Sequence, residues 1–170
     1  MDIKLKAVNS ANVILEAEVN GEVQQIMWKA IENAVSGFKK KENEGFWFDV
    51  FGKYVIGIIR IAQGQGNFIV GWDTDEKKIV HVSNGEFAER VFMYDGYVYS
   101  VCEVCCYGVK AHLAADRVEF GTMDRWGETE SLNCIENAGI STKEGNKNFD
   151  IFLEDGLIYV VYDKTSYRIE

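Results

Sequence analysis

Two histidines, four cysteines and several closely spaced carboxylates are the side chains of this 170-residue sequence whose chemistry goes beyond packing. Cys102-x-x-Cys105-Cys106 has the spacing of half a zinc knuckle, but a structural zinc takes four ligands at about 2.0–2.3 Å, normally as pairs on tight turns. These cysteines stand instead in the run Tyr97 to Tyr107, rich in aromatic and β-branched residues and free of Gly and Pro, which predicts a long strand. At ~3.3 Å per residue, Cys102 and Cys106 would lie about 13 Å apart, with Cys105 on the opposite face. They read as small buried hydrophobes, and with only His112 and Cys134 in reserve no metal is expected. A reactive thiol would want a neighbouring cation or a helix N-terminus, and the sequence offers neither.

His81 lies between Val80 and Val82 and would share a strand face with Ile79 and Ser83, while His112 sits near the end of the central strand region. Either has the chemistry of a general base, but a nucleophilic triad is a spatial object that sequence order does not show. Asp73 with Asp75, and Glu154 with Asp155, would do paired-carboxylate work only across a cleft, and Glu154-Asp155-Gly156 more simply makes a turn. Gly64-Gln65-Gly66-Asn67 runs into another strand and not into the helix N-terminus that completes a phosphate site, so it reads as a hairpin turn. Tyr94, Tyr97, Tyr99 and Tyr107 would stack nucleobases only beside a basic groove, which this chain lacks. No cofactor motif is present.

The segment Asp124-Arg125-Trp126-Gly127-Glu128-Thr129-Glu130 is different, because it places a large aromatic in a glycine-flanked, charged loop. Such a Trp is either a lid on the core or an exposed anchor of the kind that concentrates binding energy. On the second reading Asp124, Trp126, Glu128 and Glu130 are the partner-binding residues. Net charge points the same way: of the formal −9, residues 116–170 contribute −6, from 6 basic and 12 acidic side chains. That field repels nucleic-acid phosphate and anionic lipid and favours a basic protein surface.

The elements that must carry these residues follow from pattern. Ile3 to Val8 and Asn12 to Val19 predict strands. Asn20-Gly21 is a hairpin signal, yet Val23, Ile26, Met27, Ala30, Ile31, Ala34, Val35 and Phe38 recur with helical period, so an amphipathic helix over 21–38 near the N-terminus, capped by Asn20, is expected. Strands then follow at short intervals: 46–51, 54–61, 67–73, 78–83, 87–94 and 97–107, with Gly57 marking a bend or a place where the helix comes close. Residues 109–116 fit helix or strand equally, 117–120 and 130–135 are weak strands, and 136–148 reads as a loop. A hairpin across Asp155-Gly156 and an edge strand at 166–169 close the chain.

With 170 residues, 47% hydrophobic composition and no linker, one domain spanning 1–170 is expected. The expected fold is α+β: a mainly antiparallel, strongly curled meander of roughly eight to ten strands with one amphipathic helix. No apolar run approaches the ~20 residues of a membrane span, and the default compartment is the cytoplasm. The functional expectation is a non-catalytic acidic module that binds a basic protein, in the manner of a stoichiometric inhibitor of a basic enzyme or nucleic-acid-binding protein. It would need no cofactor and no direct contact with nucleic acid or membrane. The alternative is a small-molecule binder or enzyme with a pocket inside the curled sheet, using His81, His112 or a cysteine.

Overall fold

The computed structural model describes residues 2–41, 44–61, 66–85, 88–104, 112–132, 135–136, 149–162 and 165–169. Its strands are antiparallel and, among the described residues, are accompanied by one short helix. Contacts group the chain into two compact units, Met1–Gly85 with Gly121–Gly127, and Glu86–Phe120 with Glu128–Glu170.

In the first unit β1 (Ile3–Ala7), β2 (Val13–Val19) and β3 (Glu22–Met27) form a three-stranded sheet in that order. Helix α1 (Trp28–Ala34) follows, and β4 (Gly45–Phe51), β5 (Tyr54–Arg60), β6 (Phe68–Asp73) and β7 (Lys78–Asn84) make a four-stranded meander. Both central strands of the meander are buried on both faces, β6 at every position. Ile14, Leu15, Ala17 and Ile26 from the first sheet pack with Trp28, Ile31, Val35 and Phe38 and with Val55, Ile59, Phe68 and Val70 from the meander. The Gln24 amide ties the sheets together: Trp72 Nε1 donates to Oε1 at 3.1 Å, and Nε2 donates to the Thr74 carbonyl at 2.7 Å.

Gly57 marks a close approach. It stands directly opposite Phe48 in the β4–β5 register, and a Cβ there would run into the Trp47 carbonyl and the Phe48 ring. The close approach expected of the helix is therefore corrected to one by the neighbouring strand, through the Trp47 carbonyl and the Phe48 ring.

The helix expected over 21–38 is corrected to residues 28–34. Asn20 and Gly21 both adopt positive φ, 50° and 87°, as a two-residue type I′ loop requires, and the ladder they nucleate pairs Glu22 with Val19 and continues to Met27 opposite Val13. Asn20 is a turn residue; the helix N-cap is Met27. Val23 and Ile26 satisfy the helical spacing, but Val23 is 58% exposed and only Ile26 is buried. Trp28, the residue off the predicted stripe, opens the helix and is fully in the core.

The second unit holds a sheet in the order β11 (Glu130–Ser131), β10 (His112–Glu119), β9 (Tyr97–Val104) and β8 (Ala88–Tyr94), with β12 (Ile135–Glu136) also on β10. The long strand predicted from Tyr97 is β9, central between β8 and β10; its predicted end, 105–107, lies outside the described residues. A further sheet is built from β13 (Phe149–Glu154), β14 (Leu157–Tyr162) and β15 (Thr165–Ile169). The expected closing hairpin is present, with Asp155 and Gly156 at φ 52° and 76°, and β15 is its edge strand. Tyr99, Val101, Ala115, Ile151, Ile158, Val160 and Ile169 form this unit's core. The predicted loop over 136–148 lies outside the described residues beyond Glu136, which belongs to β12.

The single curled sheet of eight to ten strands is thus corrected to four separate sheets holding fifteen strands among the described residues. Turn signals specify which neighbours pair, but not where a ladder stops. Here one ladder stops where α1 intervenes between β3 and β4, and another where the chain leaves the first unit at Gly85.

Candidate functional site

The segment Gly121–Gly127 returns from the second unit's sequence to the first unit and lies along β7. Val82 N–H donates to the Thr122 carbonyl at 2.7 Å, and Asp124 N–H donates to the Val82 carbonyl at 3.0 Å, so the edge of β7 is covered by a short parallel bridge at Met123. Gly121, at φ 97°, turns the chain into this path. The Asp124 carboxylate accepts the Trp126 N–H at 3.1 Å, and Gly127 N–H reaches the Asp124 carbonyl at 3.3 Å, which closes a tight turn around Arg125 and Trp126.

Arg125 points inward and is 8% exposed. Its Nη2 donates to the Gly66 carbonyl at 3.1 Å, and its guanidinium lies 4.9 Å from the Phe68 ring centroid and 4.5 Å from that of Trp126. Burial lowers its pKa from the ordinary arginine value, while the two rings stabilise the cation. Trp126 caps this stack and is 63% exposed. Its six-membered ring lies against Gly66, where a Cβ would stand 2.9 Å from Cη2; at φ 84° that position also needs glycine for its backbone. The indole is therefore held in place by Gly66, Arg125 and the Asp124 turn while most of its surface faces solvent. Met123, three residues earlier, is 51% exposed on the same segment.

The four residues singled out from sequence divide between the units. Asp124 and Trp126 belong to the first, and Glu128 and Glu130 to the second. Asp124 and Glu128 are exposed. Glu130, on β11, is engaged by Arg117 of β10 through Nε to Oε2 at 2.7 Å and Nη2 to Oε1 at 3.1 Å. This hydrogen-bonded pairing holds the Glu130 carboxyl below its usual range, and the same guanidinium sits 4.3 Å over the Tyr97 ring. Sequence reasoning did not single out Arg125 or Met123, and it weighed Gly66 only as part of a glycine-rich turn. The Phe68–Arg125 stack joins residues 57 apart, and no local pattern signals such a pairing.

Of the groups considered for catalysis, His81 is fully buried and Ser83 is 1% exposed. Gly121 N–H donates to His81 Nδ1 at 3.2 Å, which fixes the proton on Nε2, and Nε2 donates to Ser83 Oγ at 2.8 Å. A serine nucleophile needs the reverse arrangement, with the imidazole accepting from the hydroxyl. Burial pushes the His81 pKa down to about 4. The imidazole is held neutral and bridges β7 and the 121–127 segment. The Asp73 carboxylate is likewise occupied, accepting from Asp75 N–H at 2.8 Å and Glu76 N–H at 3.2 Å and pairing with Lys53 at 3.3 Å. Cys102 is buried in β9; Cys105, Cys106 and Cys134 lie outside the described residues, and His112 opens β10. Among the described residues no group of three or more His, Cys, Asp or Glu is placed to hold a metal. The sequence matches no protein-family model, no curated protein and no solved structure.

Proposed function

We propose that the protein is a non-catalytic, cytoplasmic protein-binding module whose surface is anchored by Trp126 and which recognises a partner with a basic surface. The carrying observation is an indole 63% exposed yet fixed by Gly66, Arg125 and the Asp124 turn. An aromatic held in one orientation loses little conformational freedom on binding, which is what makes Trp a frequent hot spot. Asp124 beside it and Glu128 one residue past the turn are exposed carboxylates, and the formal charge of −9 supplies long-range attraction for a cationic partner. Stoichiometric inhibition of a basic enzyme or nucleic-acid-binding protein is the mode this chemistry suits. Among the described residues no helix is long and apolar enough to cross a membrane.

The test is capture from native cell extract with wild type, Trp126→Ala and the double charge reversal Asp124→Lys, Glu128→Lys. A stoichiometric partner should bind the wild type at low ionic strength and weaken steeply with added salt. Trp126→Ala should cost about 2–4 kcal/mol of affinity, roughly 30- to 1,000-fold, and lower the melting temperature only by the loss of its stack on Arg125, about 0.5–2 kcal/mol. Equal capture by wild type and Trp126→Ala would falsify the anchor assignment. Indifference to the charge reversals would remove the basic partner.

A further inference from the structure

Two Asn-Gly peptides occur in the chain, Asn20-Gly21 and Asn84-Gly85, and each is followed by a glutamate, so their local chemistry is matched. Asn-Gly is the dipeptide most open to spontaneous ring closure, because a glycine without a side chain lets its backbone nitrogen reach the preceding side-chain carbonyl carbon. What separates the two copies is the fold.

Asn84 ends β7 and pairs with Phe68. The Gly85 N–H donates to the Asn67 carbonyl at 3.1 Å, and Gly85 is buried, so that a Cβ there would stand 2.9 Å from Ile69 Cγ1. The nitrogen that would attack is committed to a hydrogen bond, and the packing leaves no room for a new tetrahedral centre. Asn20 and Gly21 are both exposed, and a Cβ at Gly21 would meet nothing within 4 Å. Among the described residues nothing accepts the Gly21 N–H. The Asn20 Oδ1 accepts the Asp2 N–H at 3.2 Å, which draws electron density from the side-chain carbonyl carbon and supports the negative charge that grows on this oxygen as a nitrogen adds.

We infer that Asn20 is a self-modification site with water as its co-reactant. The Gly21 nitrogen attacks Asn20 Cγ and forms a C–N bond; the Cγ–Nδ2 bond breaks, and the proton lost from the Gly21 nitrogen leaves with the ammonia. Water then opens the cyclic imide at either carbonyl, giving an aspartyl or an isoaspartyl residue with no change of oxidation state. The isoaspartyl product routes the backbone through the side-chain carbon and so inserts a methylene into the tight loop between Val19 and Glu22. Asn20 also holds the start of β1, donating its own N–H to the Asp2 carbonyl at 3.0 Å. Ile3, Leu5 and Val19 pack against the first unit's core, so the product marks aged molecules with a loosened first sheet and an added carboxylate.

The full-length protein is incubated at mildly alkaline pH, folded and, in parallel, unfolded in guanidinium chloride. Conversion at each asparagine is followed by peptide mapping against synthetic isoaspartyl and aspartyl standards. Dividing each folded rate by its unfolded rate cancels the effect of flanking sequence. The quotient for Asn20 should exceed that for Asn84 by at least about tenfold, since Asn84 reacts only after β7 opens locally. Along β1, hydrogen exchange should be faster in the aged, isoaspartyl-bearing protein than in Asn20→Asp. That variant carries the added charge without the rerouted backbone, and its Asp-Gly turn is one the chain already uses at Asp95-Gly96 and Asp155-Gly156. Equal quotients, or an Asn20 that stays intact in the folded protein while the unfolded chain converts, overturn the site. Exchange along β1 no faster than in Asn20→Asp overturns the loosening.

Discussion

At His81 the imidazole is neutral because burial makes its protonated form expensive, and that has a measurable consequence in acid. Its folded pKa, about 4, lies below the ordinary value of 6.5, so the unfolded chain takes up the proton first. Stability contributed by this group is complete above pH 6.5 and is lost as the pH falls toward 4, by roughly 3 kcal/mol over that interval. Urea unfolding at pH 7 and pH 4.5 should show the loss, and His81→Gln, whose amide can accept from Gly121 and donate to Ser83, should flatten it. If both proteins titrate alike, His81 is not the source. Part of this site was legible beforehand, since period-two alternation put His81 and Ser83 on one face and they are bonded. The Gly121 amide was not, because it arrives from 40 residues away through a backbone group that carries no sequence signature. Trp126 was legible as a residue of interest but not as exposed; that depended on Gly66 and on Arg125 taking the inward place.

Among the elements, three two-residue turns were legible in advance, while Asn84-Gly85 joins β7 to β8, which belong to different sheets. Asn20-Gly21, Asp95-Gly96 and Asp155-Gly156 all adopt paired positive φ, and each joins adjacent antiparallel strands. The helix predicted over 21–38 failed because its period was weighed above the first of these turns. A strand with one buried position, such as β3, can satisfy a helical spacing by chance. The division into four sheets was not legible, because it depends on where hydrogen-bonded ladders end. One position tests the packing of the meander directly. Gly57→Ala would place a methyl group against the Trp47 carbonyl and the Phe48 ring in the middle of β4–β5, and neither can move without disturbing the ladder. A loss of about 3 kcal/mol or more is expected, read as a lowered urea midpoint with an unchanged slope. A near-neutral result would mean that the sheet gives way more easily than its register implies.

For the whole molecule, the surplus of carboxylates governs solution behaviour before any partner is met. With a sequence pI near 4.8, solubility should pass through a minimum at about pH 4.8, where net repulsion vanishes. Turbidity measured from pH 7 to 4 should rise there in the His81→Gln variant as well as in the wild type, which separates charge neutralisation from unfolding. Local pairing shows why a count of acidic residues overstates the field: Glu130 is matched by Arg117, and Asp73 by Lys53. Asp124 and Glu128 are exposed, and among the described residues neither has such a cationic match, so they would be the ones to meet the proposed partner.

The first unit is not continuous in the chain, since 35 residues, 86–120, separate Gly85 from the segment that covers β7. On a ribosome adding ~5–20 residues per second, that interval lasts roughly 2–7 s. Throughout it the nascent chain would carry β7 with a bare edge at Val82 and with His81 Nδ1 lacking its donor from Gly121. Vectorial synthesis thus leaves this unit half-sealed for seconds, and an edge so presented is a natural landing place for a chaperone at the exit tunnel.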